Sequence, residues 1–167
     1  MNFGASHRRL SAARALAGAL LLTLPLPTWA TLGDNASSVL TDQGHFKDSS
    51  LRSTDNGAYV VHEIATTYGA KVREYVSPAG AVFGVAWEGP FQPNFQHLLG
   101  AYYEQAKQAQ AAAAKNKSSA GPRVSGGPVV IDTPGLVLYE GGHMRFYHGV
   151  AYIPQLIPQG VKAANIR

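Results

Sequence analysis

Residues 72–87 have the sequence VREYVSPAGAVFGVAW, in which two apolar runs flank a compact turn motif. β-Branched and aromatic residues favour the pleated, half-buried surface of a β-strand. Within the motif, proline presets φ for the first central position of a type I turn, and Gly80 can adopt the left-handed conformation that closes a bulged hairpin. The stretch therefore predicts two antiparallel strands. The period of two places Phe83, Val85 and Trp87 together on the core side of the second strand.

The segments before this hairpin extend it into a three-stranded meander. Residues 59–64, YVVHEI, have strand composition and are joined to the hairpin by Thr67-Tyr68-Gly69. Residues 31–57 are polar and rich in small residues, so we expect loops there, with one short helix over 39–46. The Asn56-Gly57 pair that ends this segment is a strong turn signal.

A helix is predicted directly after the meander. Gly89-Pro90 ends the third strand, and Asn94 can cap the first turn of the helix with its side-chain oxygen. Apolar residues then recur at helical spacing, which indicates a stripe that packs on a sheet; they are Phe95, Leu98, Leu99, Tyr102 and Ala106. Gly100 interrupts this stripe at a cost of about 1 kcal/mol relative to alanine, and we expect the alanine-rich end at 109–114 to fray.

The second half of the chain is predicted to return to strands after a flexible internal linker at 115–128, which is rich in glycine, proline and serine. Four short strands are predicted at 129–131, 136–139, 144–147 and 150–153, divided by 133–135, Gly141-Gly142 and His148-Gly149. We expect an irregular tail at 154–167. The connections are too short for parallel crossovers. The predicted class is α+β, an antiparallel β-meander with one main helix packed on the sheet, followed by further short antiparallel strands.

The first thirty residues have the three-part chemistry of a secretory signal peptide. Arginines 8, 9 and 14 precede an uncharged apolar run at 15–24, and Thr28-Trp29-Ala30 supplies the small residues that a signal peptidase requires. The run is well short of the roughly 20 residues of a membrane-spanning helix. We therefore expect cleavage after Ala30, export to the periplasm or medium, no membrane association after cleavage, and one small domain at 31–167.

Charge and cysteine content narrow the classes of function further. Removal of the signal segment leaves 11 basic against 10 acidic residues, so the basic balance of the whole chain, +4, resides mainly in that segment. A nucleic-acid-binding domain would need a clustered basic surface, and none is indicated. The chain has no cysteine, so the sequence excludes disulfides, thiol catalysis and a lipid-modified cysteine, and 137 residues suffice for a core without disulfides.

The histidines and glutamates do not form a recognisable metal or catalytic motif. His62 and Glu63 are neighbours on a predicted strand and point to opposite faces, so they cannot hold one ion together. His143 and His148 could meet only if the chain bends back between them. Zinc needs at least three suitably placed ligands, so we expect surface or loop histidines and no metal or other cofactor.

Acid–base and nucleophilic chemistry also lack a signature. Glu63, Glu74 and Glu88 lie on consecutive predicted strands, where ordinary cross-strand pairs such as Glu63 with Arg73 or Lys71 are expected. The chain contains no Gly-x-Ser-x-Gly elbow, and its glycine pairs lack the lysine and hydroxyl residue of a phosphate loop. We therefore predict no catalytic residues.

Large aromatic residues give the strongest indication of a binding surface. The chain has many for so small a sheet, and most are expected in the core. Several exposed together would mark a surface for a protein or a glycan. The candidate binding residues are Trp87, Phe91, Phe95 and Tyr103.

Several stretches resemble a known family. They are VHEI at 61–64, VREYVSPAG at 72–80, VFGVAWEGPF at 82–91, LLG at 98–100, GGHMR at 141–145 and AYIP at 151–154. They are spread over residues 61–154, which is most of the chain after residue 30, and they resemble the exported bacterial proteins grouped as domain of unknown function 2844. The resemblance implies a Gram-negative exported protein. It supplies no activity, cofactor or catalytic residue.

The leading expectation is a non-enzymatic exported binding module of the bacterial envelope, with another exported or envelope protein as its partner. The first alternative is an envelope enzyme or metal-binding factor that uses His62, His143 or His148 with a glutamate, which requires these side chains to converge. The second alternative is an accessory for the folding or assembly of another exported protein.

Overall fold

In the part of the chain that the structure describes, seven antiparallel strands form one open sheet. The strands are β1 (Ser49–Asp55), β2 (Val60–Thr66), β3 (Lys71–Val76), β4 (Val82–Gly89), β5 (Val129–Thr133), β6 (Leu136–His143) and β7 (Phe146–Tyr152), arranged in the order β1-β2-β3-β4-β7-β6-β5. The pairing of β4 with β7 joins the first four strands to the last three. The architecture confirms an antiparallel sheet with one main helix, as the sequence predicts.

The computed structural model describes residues 32–36, 39, 49–117 and 128–167, and of residues 113–117 only the helical backbone. The predicted signal segment at 1–30, most of the predicted helix at 39–46 and residues 118–127 of the predicted linker lie outside this part. Within the described residues, no helix combines the length and the hydropathy needed to cross a membrane.

The helical segment contains a break at Gly100. Asn94 caps α1 (Phe95–Leu99), because its Oδ1 accepts from the amides of Gln96 at 3.1 Å and His97 at 3.3 Å. A 3₁₀ turn over Gly100–Tyr102 then leads into α2 (Tyr103–Lys117). Gly100 has a φ of +48°, which a residue with a side chain rarely adopts, and this conformation ends α1. Helix α2 continues to Lys117, through the first residues of the predicted linker.

The helices cover one face of the sheet, called here the helix face. Its core consists of apolar side chains from β3 to β7 and from the two helices, including Val72, Val85, Trp87, Leu98, Leu99, Leu136, Leu138 and Ala151. Leu32 joins them with 1% of its surface exposed, and its amide donates to the carbonyl of Leu98 at 3.3 Å. Leu32, two residues after the predicted cleavage site, is therefore part of the core.

The C-terminal segment, called here the tail (residues 153–167), covers part of the opposite face, called the tail face. It packs Ile166 against Tyr75, Phe83 and Ala86, and it contains 3₁₀ turns at Pro154–Leu156 and Ala163–Asn165. Tyr75 Oη donates to the carbonyl of Arg167 at 2.6 Å and accepts from its amide at 3.0 Å. The sequence predicts an irregular tail but does not predict that the tail packs against the sheet.

The prediction that Phe83, Val85 and Trp87 share one face is wrong for Phe83. A register irregularity between β3 and β4 pairs Val82 with Val76 and Gly84 with Tyr75, which places an extra residue in β4. Phe83 consequently packs in the tail-face core, whereas Val85 and Trp87 pack in the helix-face core. A bulge shifts the alternation of side chains by one residue, and β4 is buried on both faces.

Two strand predictions also require correction. Residues 49–55 form β1, where the sequence predicts a loop. This edge strand has one large apolar residue, Leu51, and its pairing with β2 holds it in the sheet. The predicted strands at 144–147 and 150–153 contribute residues 146–147 and 150–152 to the single strand β7, so in the described residues three strands follow the helix instead of four. Gly141-Gly142 lies within β6, and the hairpin turns at Met144-Arg145, where Arg145 has a φ of 71°.

Candidate functional site

A groove opens on the helix face between α2 and strands β5 and β6. Its position follows from one row of cross-strand neighbours, since Trp87 on β4 pairs with Gly149 on β7, which pairs with Glu140 on β6. The Trp87 indole lies over Gly149, where a β-carbon would be 2.3 Å from its Cζ2. Trp87 and Gly149 thus form the buried layer beside Glu140.

Apolar side chains form the floor of the groove, and polar side chains form its rim. One recess of the groove has a volume of about 270 Å³ and is lined by Phe95 and Tyr103 from the helices and by Ile131 and Leu138 from the sheet. It continues past Glu140 into a second recess of about 300 Å³ that ends at Gly142 and Tyr147. Gln92, Gln110 and Glu140 line both recesses. A groove of this shape can hold an extended segment.

Glu140 is the acidic group in the groove. Partial burial raises the pKa of its carboxyl, and the hydrogen bond from Gln92 Nε2, at 2.8 Å to Oε1, opposes this by stabilising the carboxylate. Among the described residues no cation forms an ion pair with Glu140. Lys107, which also lines the groove, pairs instead with Glu104, with its Nζ 3.9 Å from Oε1. The groove therefore contains a partly desolvated carboxylate held by a neutral donor.

The four aromatic residues selected from the sequence occupy three different environments. Phe95 and Tyr103 line the groove, each half-buried. Trp87 is only 4% exposed and packs edge-on against Phe95 with ring centroids 5.4 Å apart, so it belongs to the core and cannot form part of an exposed patch. Phe91 is 67% exposed and lies against Tyr68 over a separate recess of about 230 Å³.

Sequence reasoning did not identify Gln92, Gln110 and Glu140 as groove residues. Gln92 and Glu140 are 48 positions apart in the chain, and their contact depends on the pairing of β4, β7 and β6. Glu140 also precedes Gly141-Gly142, which the sequence predicts as a break between strands. The only available signal was the interruption of the apolar run at 136–139 by an acidic residue.

The other glutamates do not form a catalytic pair. On the tail face, Arg73 Nε donates to Glu63 at 2.8 Å and Arg73 Nη2 donates to Glu88 at 3.2 Å, while Lys71 lies 3.2 Å from Glu88. This confirms the expected pairing of Glu63 with Arg73. Glu74 lies on the helix face and is fully buried. The four paired side chains, Glu63, Lys71, Arg73 and Glu88, are called the ion cluster.

The contributions of Glu88 and Glu140 to the free energy of unfolding should depend on pH in opposite directions. Burial alone would raise the pKa of Glu88, but the hydrogen bonds and charges of Lys71 and Arg73 hold it below its ordinary value of 4.5. On acidification, Glu88 is therefore protonated at a higher pH in the unfolded chain than in the folded protein. The stabilisation that its ionised carboxylate gives the folded state is lost as the pH falls below about 4.5. Glu88→Gln is expected to reduce the free energy of unfolding at pH 7 by about 0.5 kcal/mol, as is typical of solvent-screened pairs.

Glu140→Gln is the matched variant and should have the opposite sign. Because the pKa of Glu140 is raised, the folded state loses stability as pH rises through that pKa, and glutamine removes this loss. Urea unfolding at pH 7 should show Glu140→Gln as more stable than wild type and Glu88→Gln as less stable, and both differences should be smaller at pH 3. Equal signs for the two variants at pH 7 would contradict these assignments.

The three histidines considered for a metal or catalytic site, all of them among the described residues, do not converge. His62 lies on the helix face, where it is hydrogen-bonded to Ser53 Oγ at 2.8 Å and partial burial lowers its pKa. His143 and His148 lie on the tail face, and both pack against Phe146, with ring centroids 5.9 Å and 5.4 Å away. Among the described residues, no three side chains of the metal-binding types are grouped to hold an ion.

These features define a small α+β domain with an open groove between a sheet and a helix. The chain belongs to the family described as "Protein of unknown function (DUF2844)", whose model matches residues 28–166. This match confirms the family resemblance of the sequence. Comparisons with the curated proteins and with the solved structures gave no match.

Proposed function

We propose that the protein is an exported, non-enzymatic binding module of the bacterial envelope that holds an extended segment of another exported protein in the groove. The groove beside Glu140 is the observation that carries this proposal. Export is supported by the three-part sequence of residues 1–30 and by the position of Leu32, which enters the core directly after the expected cleavage site.

The chemistry of the groove favours a particular kind of segment. The floor formed by Ile131 and Leu138, with the rings of Phe95 and Tyr103 beside it, can bury an apolar side chain of the partner. Glu140 offers a partly desolvated carboxylate with an amide donor as its hydrogen-bond partner. A lysine or arginine of the partner would supply a counter-charge that no described residue of the chain provides. The proposed occupant therefore places an apolar residue on the floor and a basic residue beside Glu140.

Site-specific photo-crosslinking in the native cell provides the test. A photoreactive phenylalanine analogue replaces Gln110, an exposed α2 residue that lines the groove, and in a second strain it replaces Gln108, which is exposed on the same helix but does not line the groove. We expect one exported partner to be crosslinked at 110 and not at 108. The recovered protein is expected to begin at Thr31 by intact mass.

Two variants of Glu140 link the adduct to the proposed charge contact. Glu140→Lys should abolish the 110 adduct by repelling the basic residue, and Glu140→Gln should weaken it severalfold while leaving the fold intact. The crosslinked peptide should contain a basic residue next to an apolar one. Absence of an adduct, equal adducts at 108 and 110, or an adduct unaffected by Glu140→Lys would overturn the proposal. Trp87→Ala is unsuitable here because it removes a core ring.

A further inference from the structure

A row of four rings lies on the tail face beyond the end of the tail. From β6 and β7, Tyr139, His148, Phe146 and His143 follow one another with centroid spacings of 6.3, 5.4 and 5.9 Å. Successive ring planes are inclined by 41°, 41° and 39°, so neighbouring rings meet at similar tilts. Tyr139 is 43% exposed and Phe146 47% exposed. This set is called the aromatic row.

Gly141 has no side chain to fill the space between the rings of Tyr139 and His148. It pairs with His148 across the β6–β7 ladder, and a β-carbon there would lie 3.3 Å from both His148 Nε2 and Tyr139 Oη. Any side chain at this position would stand between the two rings and separate them. The exposed Val130 and Met144 extend the apolar surface at its margins. The result is a shallow platform on a sheet.

The rings of the row also present polar groups. His143 Nδ1 lies 3.0 Å from the carbonyl of Met144, which can only accept, so the hydrogen is on Nδ1 and Nε2 of the neutral ring remains an acceptor. Tyr139 Oη can donate and accept. His148 Nδ1 is buried without a hydrogen-bond partner among the described residues, and its Nε2 lies on the side of Gly141. Flat apolar faces therefore alternate with hydrogen-bonding edges.

The ion cluster borders the row without giving it a net charge. Glu88 on β4 is the cross-strand neighbour of His148, and it pairs with Lys71 and Arg73. With Glu63, the cluster has two acidic and two basic side chains, so their charges balance. A neutral ligand with hydroxyl and amide groups suits such a border better than a strongly charged one does.

From this geometry we infer that the aromatic row binds a neutral glycan strand, with sugar rings stacked on Tyr139 and Phe146 and hydroxyl groups bonded at the ring edges. Stacking would use the exposed surfaces of Tyr139 and Phe146, and the sequence of neighbouring rings provides successive contacts along an extended polymer. This site lies on the face of the sheet opposite the groove, so its occupancy is independent of the proposed protein segment.

The probe is a soluble hexasaccharide of β-1,4-linked N-acetylglucosamine, a neutral glycan. Titrated into the folded protein, it should shift the ring resonances of Tyr139, His148, Phe146 and His143 saturably, as observed by two-dimensional NMR. Phe146→Ala should weaken binding at least tenfold, and Gly141→Val should do the same by filling the platform. Phe91→Ala, which removes an exposed ring outside the row, should leave binding unchanged.

The other outcomes overturn the inference. Absence of shifts at millimolar saccharide, or shifts at Phe95 and Tyr103 instead, would remove the glycan site from the aromatic row. A protein that self-associates through the row, with the sedimentation shift lost in Phe146→Ala and no response to saccharide, would assign the surface to a second copy of the chain. If Phe146→Ala unfolds at nearly the same temperature as wild type, any loss of binding is local to the aromatic row.

Discussion

Replacement of Gly149 by alanine is expected to reduce the free energy of unfolding by about 3 kcal/mol, because the central layer of the sheet has no room for one more methyl group. The new β-carbon would lie 2.3 Å from Cζ2 and 2.7 Å from Cε2 of Trp87 and 2.5 Å from the backbone oxygen of Tyr139. The indole is 4% exposed and packs against Phe95, so it cannot swing into solvent. The backbone oxygen belongs to β6 and cannot move without disturbing the ladder.

Urea unfolding and the fluorescence of Trp87 together test this expectation. The chain has two tryptophans, and Trp29 lies in the predicted signal segment, so Trp87 is the reporter in the processed protein. Gly149→Ala should unfold at lower urea and show a red-shifted native emission as the indole is displaced. Gly135→Ala is the control, because its nearest neighbour is the side chain of Gln105 at 3.4 Å. Equal stability of the two variants would show that the indole does not lie over Gly149.

Ile166→Ala is expected to cost about 3 kcal/mol, within the range for the removal of a buried isoleucine side chain. Ile166 is 4% exposed and fills the space above Gly84, where its Cδ1 and Cγ2 lie 3.0 Å and 3.2 Å from the position of a β-carbon. Its loss leaves a cavity against Tyr75 and Phe83 and weakens the attachment of the tail.

The titration of Tyr75 gives a second readout for Ile166→Ala. Burial raises the pKa of the Tyr75 hydroxyl, and the hydrogen bond with the backbone of Arg167 partly offsets that effect. If the tail opens, the phenol becomes solvated and its pKa should fall toward the ordinary value of 10.0. Lys162→Ala, at an exposed position of the tail, should change neither stability nor titration appreciably. Unchanged behaviour of Ile166→Ala in both measurements would contradict the packing of the tail.

The strands and helix that could be predicted are those with strong local chemistry. The turn at 77–80 formed as the sequence indicates, with Gly80 at a φ of +84° and its amide bonded to the carbonyl of Ser77. Asn94 capped its helix for the same local reason. By contrast, β1 carries almost no apolar pattern, and the bulge that redirects Phe83 arises from register with β3. Such features depend on a partner strand and have no local signal.

The candidate site was only partly predictable because it is assembled by long-range pairing. Phe95 and Tyr103 could be selected as large rings on a helix, and both line the groove. The burial of Trp87 follows from Gly149 on a strand about sixty residues later, which no local pattern reveals. Glu140 became a groove residue only when β6 was placed beside β7. The sequence predicts Gly149 as a break between two strands. In the structure it lies within β7 and leaves space for the Trp87 indole.

The late position of the tail has a consequence for when the protein can fold. Tyr75 is hydrogen-bonded to a residue 92 positions later, and β4 finds its second neighbour only in residues 147–152. Such distant closures are made slowly, since the chain loses loop entropy before the contacts stabilise it. During synthesis the meander of β1 to β4 is therefore complete well before the strand and tail that cover it. The strands β1 to β4 therefore reach their native stability only after residues 147–167 have been added and have packed against them.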